Sequence, residues 1–361
     1  MAVSRNAKTG LWDVQVWYRT RDGTRKKKHK RGFLKKSDAK EWERDFLLRA
    51  EGSPSMSFKS FVALYLSDVR PHLKLNTYLT KEHILATKLV PFFGEKQLDE
   101  ITPADVLRWQ GGIKEAVNPQ TGRPYSGTYI RTISNQLSAV LNHACRFYGL
   151  KESPLKQVGK AGSRNTEEEM RFWSKEEYLR FSEAVMDKPK SFMSFEVLFW
   201  TGIREGELLA LTPGDFDFRK NQLRVTRSYQ RIRGEDVITP PKTPKSVRTI
   251  ALPAFLVDEL REYIELFCIG DGERIFPFTK GFLYCEMKRG CEESGVRRIR
   301  VHDLRHSHVS ILIDMGFNAL AIADRLGHEA VDITYRYAHL FPSVQADMAS
   351  ALEKKREVND E

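Results

Sequence analysis

The first clear pattern along the chain has a period of two. In residues 11–18, Trp12, Val14, Val16 and Tyr18 fall on one face, and Asp13, Gln15 and Trp17 on the other, which predicts a half-buried strand. Turn-forming KTG at 8–10 and RDG at 21–23 flank it. The basic run at 25–31 would be a neighbouring strand. Ser37 is then placed to cap a helix reaching about Ala50, with Trp42 and Phe46 at i, i+4 to pack on the sheet. The expectation for residues 1–52 is a three-stranded sheet plus one helix.

After the linker EGSPS at 51–55 the period changes to that of helices. Asn76 or Thr77 reads as a helix start, and Thr102-Pro103-Ala104-Asp105 as a cap with proline at the first helical position. A long helix follows Ser126, with Ile130, Ile133, Leu137, Val140, Leu141 and Ala144 on its apolar stripe and Gly149 as its stop. Residues 55–150 should therefore be a compact helical bundle. Residues 150–171 read as a second, polar linker. The last domain, 170–361, opens on the capping box Ser174-Lys175-Glu176-Glu177. Its helices are interrupted at about 215–252 by strands, where Leu223, Val225, Val237, Ile238, Val247 and Ile250 alternate with charge around turns at Lys220-Asn221 and Gly234. Beyond Pro342, Val344, Met348, Ala351 and Leu352 form the stripe of an amphipathic tail helix. The predicted class is mainly α with small β-sheets (α+β).

Composition adds a partner class. A hydrophobic fraction of 41% over 361 residues supplies real cores and excludes a disordered chain. The net charge of +11 favours a polyanion. Much of that excess is local: residues 1–36 carry twelve Lys or Arg against only Asp13 and Asp22. Cys145, Cys268, Cys285 and Cys291 form no CxxC pair, so neither a zinc knuckle nor a disulfide framework is signalled. No run has membrane-spanning length and no signal peptide is legible, so the expectation is a cytoplasmic protein.

The candidate chemistry lies in the last 160 residues, in TGIREGELLAL (201–211), HDLRH (302–306), LGH (326–328) and TYRYAH (334–339). Arginine pairs N–H donors with phosphate oxygens and never loses its charge, so Arg204 and Arg305 suit a phosphodiester clamp. His302 and Arg305, at i, i+3 on one helix start, can meet the same phosphate. A lysine or histidine can protonate a leaving 5′ oxygen, and a tyrosine can hold a strand as a reversible aryl phosphodiester. Taken alone, Arg204 could simply pair with Glu205 or Glu207, Lys242 competes with Lys245, and Tyr335 competes with Tyr337.

Together and in this order, the four strings resemble the tyrosine recombinase family of phage and conjugative-transposon integrases. The resemblance implies Arg204 and Arg305 as the clamp and His302 and His328 as phosphate hydrogen-bonding groups. It also implies Lys242 as general acid in a β-hairpin, Tyr337 as nucleophile, and Glu207 as a group orienting the site. His328 and Tyr337 stand nine residues apart, the family interval, which with His339 favours Tyr337 over Tyr335. No metal or other cofactor is implied. Residues 1–52 resemble arm-site-binding domains, with Trp17, Arg19, Lys26 and Lys28 chosen to face DNA. Residues 55–150 resemble the core-binding domain, with Lys74, Lys81, Lys88, Arg131 and Arg146 as candidate contacts. The implied partners are double-stranded DNA at arm and core sites, three further copies in a tetramer, and an excisionase or host DNA-bending protein. The rival readings are a type IB topoisomerase and a non-catalytic DNA-binding regulator.

Overall fold

The computed structural model describes residues 3–7, 9–19, 25–51, 56–164, 170–241 and 244–327. The chain divides into two compact units, Met1–Glu168 and Glu169–Glu361. No described helix is long and apolar enough to cross a membrane.

The first unit opens with strands β1 (Val3–Arg5), β2 (Trp12–Arg19) and β3 (Arg25–Phe33), which form one antiparallel sheet in that order. Helix α1 (Lys36–Glu51) packs on it: Trp42 stacks on Phe46, and the two rings meet Phe33 and Tyr18 respectively. Two expectations need correction. The helix starts one residue before Ser37, whose hydroxyl donates to the adjacent Asp38 instead of capping. The alternation in β2 also breaks at a bulge beside Trp12, so Asp13 and Val14 are both buried. Asp13 is satisfied there by the Asn6 side chain and the Gly32 N–H.

The bundle follows, with α2 (Phe58–Val69), α3 (Leu75–Ile84), α4 (Val90–Phe93), α5 (Pro103–Glu115), α6 (Gly127–Phe147) and the single turn α7 (Leu155–Val158). Lys74 stands at the N-terminal boundary of α3 without a side-chain cap bond, so neither Asn76 nor Thr77 starts it. Between α3 and α4 the helix widens to a π-turn at Leu85–Leu89. Pro91 has no N–H to give the preceding turn, a sufficient cause for the widening. The predicted Thr102–Asp105 cap, helix start after Ser126 and stop near Gly149 are all present, the first as a full capping box and Gly149 with a left-handed backbone.

The expected linker at 150–171 is ordered over its first part, because it completes the bundle's core. Leu150, Leu155 and Ala161 are buried with the α6 stripe. Ala161 N–H donates to Ser134, and the Gly159 and Lys160 carbonyls accept from Gln110 and Arg131. Gly162 (φ +82°) allows this approach, since a Cβ there would sit 2.3 Å from the Gly127 carbonyl and 2.4 Å from the Arg131 nitrogen. Gly162→Ala combines a left-handed backbone with a backbone clash, and should cost roughly 2–4 kcal/mol in urea unfolding. A cost under about 1 kcal/mol would mean that this segment does not dock on α6.

The second unit contains helices α8 (Lys175–Val185), α9 (Pro189–Thr201) and α10 (Glu205–Leu208), with the Ser174–Glu177 capping box as expected. Strands β4 (Phe216–Asp217), β5 (Gln222–Val225) and β8 (Arg248–Ala251) make one antiparallel sheet, and β6 (Ser228–Ile232) and β7 (Glu235–Thr239) a separate hairpin. Helices α11 (Ala254–Leu266), α12 (Lys280–Ser294), α13 (Leu304–Asp314) and α14 (Ala319–Leu326) complete the described chain. The core gathers around α9, whose Phe195, Val197, Leu198 and Phe199 are buried on nearly all sides. Leu223, Val225 and Ile250 line it as predicted, whereas Val247 and Ile238 are exposed. The amphipathic tail predicted after Pro342 lies outside the described residues.

Candidate active site

The site grows from two helix ends. Helices α9 and α14 both stop at left-handed glycines, Gly202 and Gly327, which leave their last carbonyls without helical partners. Arg305, on the first turn of α13, fills both needs. Its Nη1 donates to the Gly202 carbonyl and its Nη2 to the Leu326 carbonyl, each at 2.7 Å. The guanidinium is buried, 4% exposed, and its charge sits favourably at the negative ends of two helix dipoles.

Arg204 lies two residues beyond Gly202 and caps α10. Its Nη1 donates to Glu207 Oε1 at 2.8 Å, and its backbone N–H donates to Glu207 Oε2 at 2.9 Å. The pairing that could have been its whole role therefore exists, yet 37% of the Arg204 side chain remains open. Glu207 is buried and held from the other side by Arg248, Nη1 to Oε1 at 3.2 Å and Nη2 to Oε2 at 2.8 Å. Burial pushes the Glu207 carboxyl up, but the hydrogen bonds and charge of Arg248, with the charge of Arg204, hold it below the usual carboxylate range. Glu207 is thus an ionised bridge between two arginines.

His302 begins the turn into α13, its ring 5.7 Å from that of His306. Desolvation by the surrounding wall lowers its pKa, aided by the charges of His306 and Arg305, so the ring is neutral at pH 7. Asp303 beneath it is buried and held by the Arg300 backbone and side chain. Glu205 is buried beside Arg204 and pairs with Lys280 at 3.3 Å. Arg204 is thus bonded to Glu207, Arg305 grips the carbonyl of Gly202 two residues before Arg204, and the charge of Arg305 reaches His302. Lys242, His328 and Tyr337 lie outside the described residues.

Two arginines, one buried and one partly buried, escaped the sequence reading. Arg248 pairs across the sheet with Val225 and shares the buried face of Ile250. Since Ile250 points inward, the period of two places Arg248 inward as well, and a charge on a buried strand face was the available signal. Arg325 donates to His308 Nε2, the Ala251 carbonyl and the Trp200 carbonyl, which joins α13, β8 and α9. No local pattern marks it.

The expected DNA-contact residues divide by geometry. Trp17 is half exposed, with Lys27 stacked over its ring at 5.5 Å. Register puts Trp17 opposite Lys27 and Gln15 opposite His29 on the face away from α1. Lys26 and Lys28 are exposed but stand opposite Tyr18 and Val16, on the helix side, because paired positions in a sheet share a face. The open face is therefore built from Trp17, Lys27 and His29. Arg19 lies two register positions beyond Trp17, its side chain outside the described residues. In the bundle, Lys74 is exposed at the start of α3. Lys81 is half-buried and donates to Tyr65 and Gln136, Lys88 donates to Tyr125, and Arg131 donates to the Lys160 carbonyl. Burial lowers the Lys81 pKa. Those three tie the bundle together, and Arg146 lies over the Phe147 ring.

Comparison with known proteins agrees along the chain. The phage integrase family matches residues 171–343, an arm DNA-binding domain residues 2–50, and the SAM-like N-terminal domain of phage integrases residues 57–113. The chain is 29% identical to the ICEBs1 integrase of Bacillus subtilis over 326 residues, covering 84% of this chain and 85% of that protein. It is 26% identical to the integrase of Mycobacterium phage L5 over 283 residues, covering 74% and 71%. Among solved structures, the Tn1549 transposon integrase with transposon right-end DNA superposes with a TM-score of 0.62 at 20% identity, covering 82% of this chain and 98% of that one. A lambda integrase dimer bound to a core site gives 0.59 at 15% identity, covering 93% and 94%. Fold and sequence together define a tyrosine recombinase, an enzyme that transfers DNA strands. The chain belongs to the phage integrase family.

Proposed function

We propose that this site-specific recombinase cuts and rejoins DNA through a 3′-phosphotyrosine at Tyr337, with Arg204 and Arg305 clamping the scissile phosphate. The observation that carries the reading is the Arg305 bridge: the carbonyl it grips belongs to Gly202, two residues from Arg204, while its charge acts on His302. One phosphate entering there meets two guanidiniums and a neutral imidazole. The guanidiniums neutralise charge on the non-bridging oxygens, and His302 hydrogen-bonds one of them. Tyr337 attacks phosphorus, Lys242 protonates the departing 5′ oxygen, and His328 assists at the phosphate. A DNA hydroxyl then reverses the step, so the bond energy is kept in the aryl ester.

The layout has three parts, an arm-binding sheet with helix (1–52), a core-binding bundle (55–150) and a catalytic domain (170–361). It suits integration and excision of a mobile element in the cytoplasm, by a tetramer on duplex DNA. An excisionase or a host bending protein would set direction. Trp17, Arg19, Lys27 and His29 would face the arm site, with Lys26 and Lys28 at its margin. Lys74 is exposed, and Lys81 and Arg131 would reach DNA only by giving up internal partners. An arm segment and relatives named as integrases favour this over a topoisomerase.

The test is covalent trapping with nicked duplex from the ends of the element that carries the coding sequence, in EDTA, on a denaturing gel. An adduct traced by peptide mass spectrometry to Tyr337 is expected. An adduct on Tyr335 would move the nucleophile, and binding without any adduct would replace strand transfer by a DNA-binding role.

A further inference from the structure

Arg248 stands outside the proposed chemistry, yet it bonds three parts of the site's framework, Glu207, Ser246 and Arg325. Its Nε donates to the Arg325 carbonyl at 3.0 Å, Nη1 to the Ser246 carbonyl at 3.0 Å, and Nη1 and Nη2 to the two oxygens of Glu207. The side chain is 6% exposed. In return, Arg325 Nη1 donates to the Ala251 carbonyl at 3.0 Å, so β8 and α14 are stitched together at both ends of the strand. Gly327 is pressed against the same side chain, since a Cβ there would fall 3.0 Å from Arg248 Cδ.

We infer that Arg248 is a positioning residue for the phosphate clamp: it holds Glu207, and through it the Arg204 guanidinium, in fixed relation to the α14 end that Arg305 grips. A buried carboxylate with one arginine could turn with it. Held bidentately on the opposite side by a second arginine, itself pinned by two carbonyls, Glu207 offers Arg204 one orientation. The Arg204 fork is then set before DNA arrives, which is what stabilises charge developing on a phosphate. This rests on the clamp reading of Arg204 and Arg305.

The test compares wild type, Arg248→Lys and the double variant Glu207→Gln/Arg248→Met in the full chain, on duplex with its scissile phosphate mapped by adduct formation. Lysine keeps a positive charge beside Glu207 but cannot make the fork. Expected for Arg248→Lys is unchanged DNA affinity, within about twofold, and adduct formation slowed roughly 100-fold. The same duplex with a methylphosphonate at the scissile position has lost one non-bridging charge and needs the clamp less. There the gap between variant and wild type should shrink to about fivefold or less. A merely structural role would leave the gap equal on both substrates, and that result overturns the inference, as does an Arg248→Lys rate equal to wild type. If Arg248→Lys does not fold, the double variant, which leaves neither charge buried alone, carries the same two-substrate comparison. Failure of wild type to form any adduct instead overturns the clamp reading itself.

Discussion

Arg305→Ala is expected to lower adduct formation at least about 1,000-fold and to destabilise the second unit by roughly 3 kcal/mol. The two losses have separate causes. Removing the guanidinium takes a fixed positive charge from the phosphate position, and loss of even a neutral oxyanion donor costs about 100- to 1,000-fold. It also strands the Gly202 and Leu326 carbonyls, the final acceptors of α9 and α14, at the negative ends of their dipoles. Charge-assisted bonds of this kind contribute about 1.5–3 kcal/mol each, so two of them outweigh the relief of leaving a buried arginine unsolvated. Arg305→Lys should fall between, since an ammonium reaches one carbonyl well and lacks the fork. Thermal unfolding and adduct kinetics measure the two effects. A variant that melts with wild type but does not cleave would confine Arg305 to the chemistry. One that also cleaves normally would remove it from the site.

The same residues show why sequence reached as far as it did. Helix starts were legible at Thr102–Asp105 and Ser174–Glu177, where a side chain closes on the backbone three residues away, because that bond is local. Arg204 and Arg305 were legible through the strings around them. The strings do not say what Arg305 does inside the protein, which depends on two glycine-terminated helices remote in sequence. Arg248 and Arg325 belong to that remote class. Arg325 looks like a surface charge in its own segment, and both arginines find these partners only when β8 meets α14. The segment at 159–163 failed for a related reason: its polar residues suggest a linker, but Ala161 and Gly162 fit against α6 through backbone bonds that composition does not encode. At Lys81 and Lys88 the structure adds what charge alone does not show. Positive charge on a helix suggested DNA, and tyrosines from neighbouring elements already take those ammonium groups.

Acid should loosen this junction through His308. The ring is buried between α9 and α14; Nε2 accepts from Arg325 Nε at 3.2 Å, and the ring bonds the Phe199 backbone. Burial first, then the charge of Arg325, pushes its pKa down to about 3, from the ordinary histidine value of 6.5. The folded state therefore holds His308 neutral while the unfolded chain protonates at the ordinary value, so the unfolded state binds more protons between those two pH values. Stability rises with pH in that window and is lost as pH falls from 6.5 toward 3. At about 1.4 kcal/mol per pH unit, the loss between pH 6.5 and 4.5 is roughly 2–3 kcal/mol. Native-state hydrogen exchange in α13 and α14, corrected for the intrinsic exchange rate, reads this locally. His308→Gln supplies a carbonyl to accept from Arg325 and an amide to reach Phe199, with no proton to gain, so its opening free energy should stay level across the same window. If wild type and His308→Gln lose protection in parallel, the acid response belongs to other groups. If wild type alone is lost, protonation of one ring has placed a second positive charge against Arg325 and released the strand–helix junction on which both arginine clamps rest.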